Sequence, residues 1–162
     1  MVDIARGAAV YLDTNALIYM TEGSAAFKKS FEVFFKKAIA AEARFVTSEL
    51  TLTEMLVHPI REKNESLLVA YNDLFEHFVN APPIDRAILI RAAELRAQTL
   101  RLRTPDAIHV ATAEQAGVQF FVTGDDRIEI PPPIILYLLS DTDSTAPNKK
   151  NGPQGGREQG RR

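Results

Sequence analysis

The sequence predicts an α/β fold, a three-layer α/β/α sandwich with a central, mainly parallel sheet of four to five short strands. Short apolar runs alternate along the chain with longer segments of helical periodicity. The short runs are rich in β-branched and aromatic residues and are apolar on both sides, which is typical of strands in a parallel sheet covered by helices. The length of 162 residues, with 46% hydrophobic and 25% charged residues, fits one globular domain.

Each predicted strand is a short apolar run followed by residues that favour a turn or a helix start. The first run, Ala-Ala-Val-Tyr-Leu, ends at Asp13, and the last run follows three consecutive prolines. A weaker strand signal lies just before Pro82-Pro83. The predicted strands are residues 8–12, 44–47, 119–122 and 134–138, with a further short segment at 78–80.

Helices are predicted from apolar residues spaced three and four apart and from their terminal residues. Asp13 is a good N-cap for the helix after the first strand. Pro59 is expected to stop the third helix, because proline disfavours helical backbone at the residue before it. Thr104 as N-cap and Gly117 just past the end delimit the last helix. The predicted helices are residues 13–19, 25–43, 49–57, 62–78, 85–101 and 105–116.

The composition excludes several kinds of site. No cysteine is present, so disulfides, thiolate zinc sites and cysteine nucleophiles are excluded. The first residues are not a secretory signal, and no apolar run approaches the roughly 18 residues of a membrane helix, so a cytoplasmic protein is expected. From about residue 141 the chain becomes polar and charged. We therefore expect a folded domain over residues 1–140 and a disordered tail over residues 141–162.

Four acidic residues lie where an apolar run gives way to a helix or turn. Asp13 ends the first strand, Asp125 follows the strand at 119–122, Asp106 opens the last helix, and Glu54 lies on the third helix. In an open parallel sheet, such positions meet outside the carboxyl ends of the strands. Carboxylates usually face solvent, and a shared hard cation with oxygen ligands, Mg²⁺ or Mn²⁺, explains this placement.

Each of the four acids also has a purely structural explanation. Asp13 could cap a helix, Asp106 could complement a helix dipole, and Asp125 could form a turn. The segment 51–54 (TLTE) matches a capping box. The combination favours a cation, because a helix that began at 51 would be very short before the next proline. A buried carboxylate without a cation is also costly or protonated.

The segments around these acids resemble the motifs of PIN-domain ribonucleases, in the same order along the chain. The resemblance covers residues 10–138, and the most similar subgroup is the VapC-like toxins of toxin–antitoxin pairs. Gly124 is a departure, since many relatives carry Asn at this position. The matching segments are residues 12–19 (LDTNALIY), 51–54 (TLTE), 104–109 (TPDAIH) and 121–125 (FVTGD).

This resemblance implies an enzyme that hydrolyses RNA phosphodiester bonds with one or two Mg²⁺ or Mn²⁺ ions. It also implies a homodimer and a small antitoxin protein as partner. The catalytic acids and metal ligands would be Asp13, Glu54, Asp106 and Asp125. The residues that support these ligands from behind would be Thr14, Asn15 and Thr123, with Asn15 orienting Asp13.

Basic residues near the acids are candidates for phosphate contacts, because the net charge of −2 gives no general attraction to RNA. Arg61 and Lys63, which follow the third helix, could contact the substrate. Arginines also precede the third acid, and on an Ala- and Leu-rich helix they are more simply solvated residues. These are Arg86, Arg91, Arg96, Arg101 and Arg103.

Two other functions stay open on sequence alone. A Mg-dependent phosphatase-like enzyme would use Asp13 as nucleophile, but Asn15 stands where dehalogenase-like phosphatases usually carry a second Asp. A catalytically inactive PIN-like binding module is the other alternative, and the presence of all four acids argues against it. The absence of a Gly-rich Lys-Ser/Thr loop excludes a P-loop NTPase.

Overall fold

The structure, a computed structural model, describes residues 2–23 and 28–139. In chain order, these residues form β1 (Ala9–Leu12), α1 (Thr14–Glu22), α2 (Lys28–Ala40), β2 (Arg44–Val46), α3 (Leu50–Glu62), α4 (Glu65–His77), α5 (Arg86–Gln98), α6 (Thr104–Gln115), β3 (Phe120–Thr123) and β4 (Ile135–Leu138). The tail predicted at residues 141–162 lies outside the described residues. Within the described ranges, no helix has the length and apolar character needed to cross a membrane.

The four strands form one parallel sheet in the order β2-β1-β3-β4. Side chains of the buried central strand β1 alternate between two hydrophobic clusters, one on each face of the sheet. Tyr11 packs with Phe121 in one cluster, and Val10 packs with Phe120 in the other. Because helices cover both faces, the predicted three-layer α/β/α fold is confirmed.

Side chains cap the N-terminal ends of several helices. The side chain of Asp13 caps α1, and that of Asp85 caps α5. The N-cap of α6 is Arg103, so Thr104, the predicted cap, is instead the first helical residue. Gly117 follows α6 with φ 62°, a left-handed conformation that favours glycine. Gly117 thereby separates the end of α6 from β3.

Two further predictions of secondary structure were wrong. Pro59 does not stop α3, which continues to Glu62 and ends at a left-handed Lys63. Pro59 is buried, and we attribute its tolerance to packing that offsets the lost backbone hydrogen bond. The segment 78–80 is not a strand, because it contributes only an isolated bridge between Asn80 and Val46 of β2.

Candidate functional site

The four predicted acids lie at the edge formed by the carboxyl ends of the strands. Asp13 directly follows β1, and Asp125 is the second residue after β3. Asp106 lies in the first turn of α6, and Glu54 lies in the second turn of α3. The structure divides them into two pairs with different partners, which we name the inner pair (Asp13 and Glu54) and the outer pair (Asp106 and Asp125).

Asp13 is a buried carboxylate held by uncharged donors, with only 8% of its surface exposed. Its Oδ1 accepts a hydrogen bond from the amide of Thr14 at 2.8 Å. Its Oδ2 accepts from Thr123 Oγ1 at 2.6 Å and from Asn15 Nδ2 at 3.3 Å. Burial raises the pKa of Asp13, against the charge of His109 and these hydrogen bonds, which lower it. The three predicted supporting residues therefore all contact Asp13.

Asn15 also joins the start of α1 to the end of β3. Its Oδ1 accepts a hydrogen bond from the amide of Gly124 at 2.8 Å. A Cβ atom at Gly124 would lie 3.1 Å from the ring of Tyr19, which is closer than ordinary van der Waals contact. The absence of a side chain at Gly124 therefore leaves room for this tyrosine.

Glu54 is bonded to a buried histidine. Its Oε2 lies 3.0 Å from Nε2 of His109 and also accepts a hydrogen bond from Thr14 Oγ1. Burial by itself raises the pKa of Glu54, but the hydrogen bonds of His109 and Thr14 outweigh burial and lower it. The result is a carboxylate that stays ionised. Glu54 lies mid-helix and does not close the capping box that its sequence motif matches.

His109 connects Glu54 to the core. It is 3% exposed, and its Nδ1 lies 2.7 Å from the hydroxyl of Tyr11 on β1. Nε2 of His109 is placed to donate to the ionised Glu54, and Nδ1 lies within hydrogen-bond distance of the tyrosine hydroxyl. Burial raises the pKa of Tyr11, so its hydroxyl remains a donor. The chain of contacts fixes the orientation of the histidine ring.

His109 and Tyr11 are site residues that were not predicted from the sequence. His109 stands among small and apolar residues of α6, and Tyr11 lies within an apolar strand. The sequence did carry one signal, since His109 is a lone imidazole on the buried face of α6, three residues after Asp106. Buried polar groups need hydrogen-bond partners, so such a histidine indicates a contact within the protein. Its partner lies about 100 residues away in sequence and could not be identified from the local pattern.

Each acid of the outer pair is held by an arginine. Arg103 Nε and Nη2 lie 2.9 and 3.4 Å from the two oxygens of Asp106. Arg127 Nε and Nη2 lie 2.8 and 2.7 Å from the two oxygens of Asp125. The arginine side chains are 66% and 76% exposed. The hydrogen bonds of Arg127 lower the pKa of Asp125. The neighbouring Asp126 is exposed to solvent.

The two arginines also act beyond their own partners. The charge of Arg103 lowers the pKa of Glu54, by less than the hydrogen bonds described above. The charge of Arg103 also lowers the pKa of Asp125, by less than Arg127 does. Asp125 raises the pKa of Arg127, with a smaller contribution from Asp106. Inner and outer pairs therefore share one electrostatic environment.

The four acids suit a hard cation in their chemistry but are not gathered around one. All four offer carboxylate oxygens, and the buried Asp13 has no Lys or Arg partner among the ion pairs of the described residues. The described part of the chain contains no group of three or more His, Asp or Glu side chains that could hold a metal ion. Arg103 and Arg127 engage the outer pair, so a cation would compete with them.

Arg61 and Lys63 lie away from the acids. Both are exposed at the C-terminal end of α3. Arg61 follows Glu54 by seven residues, which is about 10 Å along a helix. The basic residues that contact the acids are instead Arg103 and Arg127, and only Arg103 belonged to the arginine-rich segment noted in the sequence.

Solved structures with a similar fold include three protein complexes. A toxin–antitoxin complex from Klebsiella pneumoniae has 23% identity and a TM-score of 0.54, covering 76% of this chain and 92% of its own. A DNA-bound VapBC from Salmonella typhimurium has 22% identity and a TM-score of 0.60, covering 84% and 99%. VapBC2 from Rickettsia felis, bound to a DNA fragment from its promoter, has 17% identity and a TM-score of 0.59, covering 80% and 98%.

Sequence comparison adds the family to this shared fold. Comparison with curated protein sequences gave no significant match. The family profile described as PIN domain, however, matches residues 10–131. That region contains most of β1, all of β2 and β3, and all four acids of the carboxyl edge. The chain therefore belongs to the PIN domain family.

Proposed function

We propose that this protein is a metal-dependent endoribonuclease and the toxin of a toxin–antitoxin pair. The observation that carries the proposal is the inner pair, in which uncharged donors hold the buried Asp13 beside an ionised Glu54. Uncharged donors orient a carboxylate without cancelling its charge, so this pair is suited to attract a cation. Membership of the PIN domain family supports nuclease activity.

In this proposal Asp13, Glu54, Asp106 and Asp125 would hold one or two Mg²⁺ or Mn²⁺ ions. Such a cation supplies charge neutralisation at the scissile phosphate and lowers the pKa of a water molecule. The role of the surrounding residues is to orient the acids. Thr123, Asn15 and the Thr14 amide fix Asp13, while His109 and the Thr14 hydroxyl fix Glu54.

The proposed partners are a small antitoxin protein and a second copy of this chain. The antitoxin is supported by the similar solved complexes, which carry a toxin together with its antitoxin. Several large apolar side chains of α3, α4 and α5 are exposed and are candidates for contacts. These are Val57, Ile60, Val69, Leu89 and Ile90.

The proposal is tested by titrating Mn²⁺ into the metal-free protein by calorimetry, beside an RNA cleavage assay. We expect Mn²⁺ binding and Mn²⁺-dependent cleavage in the parent and neither in Asp13→Asn. Asp73→Asn, an exposed acid on α4, is the matched control and keeps both. A parent that binds no Mn²⁺ would favour a non-catalytic PIN-like module. Phosphate-ester turnover without RNA cleavage would favour the phosphatase-like alternative.

The toxin assignment has its own test. Induced expression of the parent should arrest bacterial growth, whereas Asp13→Asn should not. Growth arrest that persists in Asp13→Asn would contradict toxicity through cleavage at this site. A ribonuclease that is active in vitro but leaves growth unaffected would contradict the toxin role while leaving the nuclease role intact.

A further inference from the structure

We propose that Arg103 and Arg127 are the phosphate-binding residues of this site, paired with the outer acids until a divalent cation takes those carboxylates. The proposal rests on the proposed function, since it assigns the residues that would receive the RNA backbone. It replaces Arg61 and Lys63, which lie farther along α3, with two arginines that contact the acids directly.

The geometry of both pairs suits a guanidinium that changes partner. Each arginine is close in sequence to its acid: Arg103 lies three residues before Asp106 and Arg127 lies two residues after Asp125. Both guanidiniums place two nitrogens against two carboxylate oxygens, the same fork that binds two phosphate oxygens. Because both arginine side chains are mostly exposed, exchanging a carboxylate for a phosphate requires no unfolding.

The charges explain why the exchange would follow metal binding. Four carboxylates and two guanidiniums leave a formal net charge of −2 on these six side chains, which repels RNA. One divalent cation would neutralise that charge. Carboxylate oxygens that bind the cation become poorer partners for arginine, while Arg103 and Arg127 remain attached at the mouth of the site. A phosphate group is then the anion that they are placed to bind.

The first test uses Mn²⁺ alone. Calorimetric titration of metal-free Arg103→Ala and Arg127→Ala should show tighter Mn²⁺ binding than the parent, by up to about fivefold, because each variant removes one competitor for a carboxylate. Arg6→Ala is the control, since Arg6 forms an exposed ion pair with Glu42 at the opposite edge of the sheet, away from the four acids. Weaker Mn²⁺ binding in the two variants would overturn the proposal, because it would mean that the arginines support the metal site.

The second test uses a single-stranded RNA at saturating Mn²⁺. Each arginine variant should raise KM more than it changes kcat. The slope of log kcat/KM against log salt concentration should flatten by about 0.7 for each lost phosphate contact. Arg127→Lys should recover part of the salt dependence, because charge is restored without the fork. Arg6→Ala should match the parent.

The two tests separate this inference from the proposed function. A parent that does not cleave RNA refutes the proposed function, and the Mn²⁺ titration still tests the competition between arginines and cation. A parent that cleaves RNA, with KM and salt dependence unchanged in both arginine variants, refutes the inference alone. Thermal unfolding of every variant verifies that the fold is intact.

Discussion

The inner and outer pairs of acids differ in what balances their charge. Asp13 and Glu54 accept hydrogen bonds from hydroxyl, amide and imidazole groups that are buried or partly buried. Asp106 and Asp125 are bound by exposed guanidiniums. Both arrangements hold a carboxylate in place, but only the outer acids are paired with guanidiniums, which are always charged.

This difference implies different roles within one site. The donors lie on α1, β3 and α6, and two of them, Thr123 and His109, are buried in the core, so the inner pair is preorganised. Exposed ion pairs contribute little to stability and can be exchanged at low cost. We therefore interpret the inner pair as the fixed part of the site and the outer pair as the part that responds to cation and substrate.

The largest effect is expected from removing a charge of the inner pair. Asp13→Asn should reduce RNA cleavage by about a thousandfold or more, because it removes electrostatic stabilisation at the reacting phosphate. Stability should be unchanged or higher, since a buried anion disappears. Asp106→Asn should abolish cleavage as well, but without raising stability, because Arg103 loses its partner. Cleavage rates and thermal unfolding measure both, and Mg²⁺-dependent cleavage by Asp13→Asn would contradict the assignment.

A smaller loss is expected when the support of the inner pair is removed. His109→Phe should lower Mn²⁺ affinity or activity by about 10- to 100-fold, the usual effect of losing a residue that orients a ligand. It should also cost about 1–3 kcal/mol, because the hydroxyl of Tyr11 is left without its partner. Tyr11→Phe combined with His109→Phe should cost less than the sum of the two changes.

A second substitution at His109 tests whether its hydrogen-bond donor matters. His109→Gln should recover part of the Mn²⁺ affinity lost in His109→Phe. If His109→Phe lowers stability but leaves Mn²⁺ affinity unchanged, then the histidine only fills the core.

The free energy of unfolding should distinguish the buried hydrogen bonds of the inner pair from the exposed arginines of the outer pair. Thr123→Val removes the hydroxyl that donates to Asp13 at 2.6 Å and should cost about 1–3 kcal/mol, because a buried carboxylate oxygen loses the shorter of its two hydrogen bonds. Arg103→Ala should leave the free energy of unfolding nearly unchanged, since its ion pair is exposed. Urea unfolding measures both, with Thr53→Val on the exposed side of α3 as control. Equal losses would show that the two pairs are equally rigid.

The smallest expected effect is on how the stability of the metal-free protein depends on pH. Asp13 and Asp125 should contribute to this dependence with opposite signs. The pKa of Asp13 is raised from 3.8, so its carboxylate costs stability above that value, and the cost disappears as the pH falls below it. The pKa of Asp125 is lowered from 3.8, so this residue contributes stability above 3.8 and loses it as the pH falls through the lower folded value.

The gain in unfolding free energy from Asp13→Asn should therefore grow as the pH rises above 3.8. Asp125→Asn should instead become increasingly less stable than the parent over the same range. Urea unfolding in chelator over the acidic range measures both differences. Differences of the same sign would show that the two acids have similar environments.

Much of the fold was predictable because its signals are local. The apolar run of β1 and the periodicity of α4 and α5 are determined by neighbouring residues, and the structure places these elements within a few residues of the prediction. Pro59 was misjudged because its effect depends on packing. Its local preference is to end a helix, but it is buried within α3.

The positions of the site acids were likewise predicted from the topology rule for parallel sheets, and the structure places all four at the expected edge. Their partners were only partly predicted. Thr14, Asn15 and Thr123 adjoin the predicted acids in sequence, and they contact Asp13. Arg127 was not predicted, although it lies only two residues from Asp125, because surface arginines near an acid are common and mostly solvated.

The sequence by itself determined the layered α/β fold, the family motifs and the placement of four acids at the ends of its elements, because periodicity and motif spacing are properties of the chain. Only the tertiary structure decided how each acid is balanced. The contact of Glu54 with His109 spans 55 residues, and its extension to Tyr11 spans the chain from β1 to α6. Such contacts depend on side-chain directions across packed elements. Hydrophobic patterning does not encode these directions.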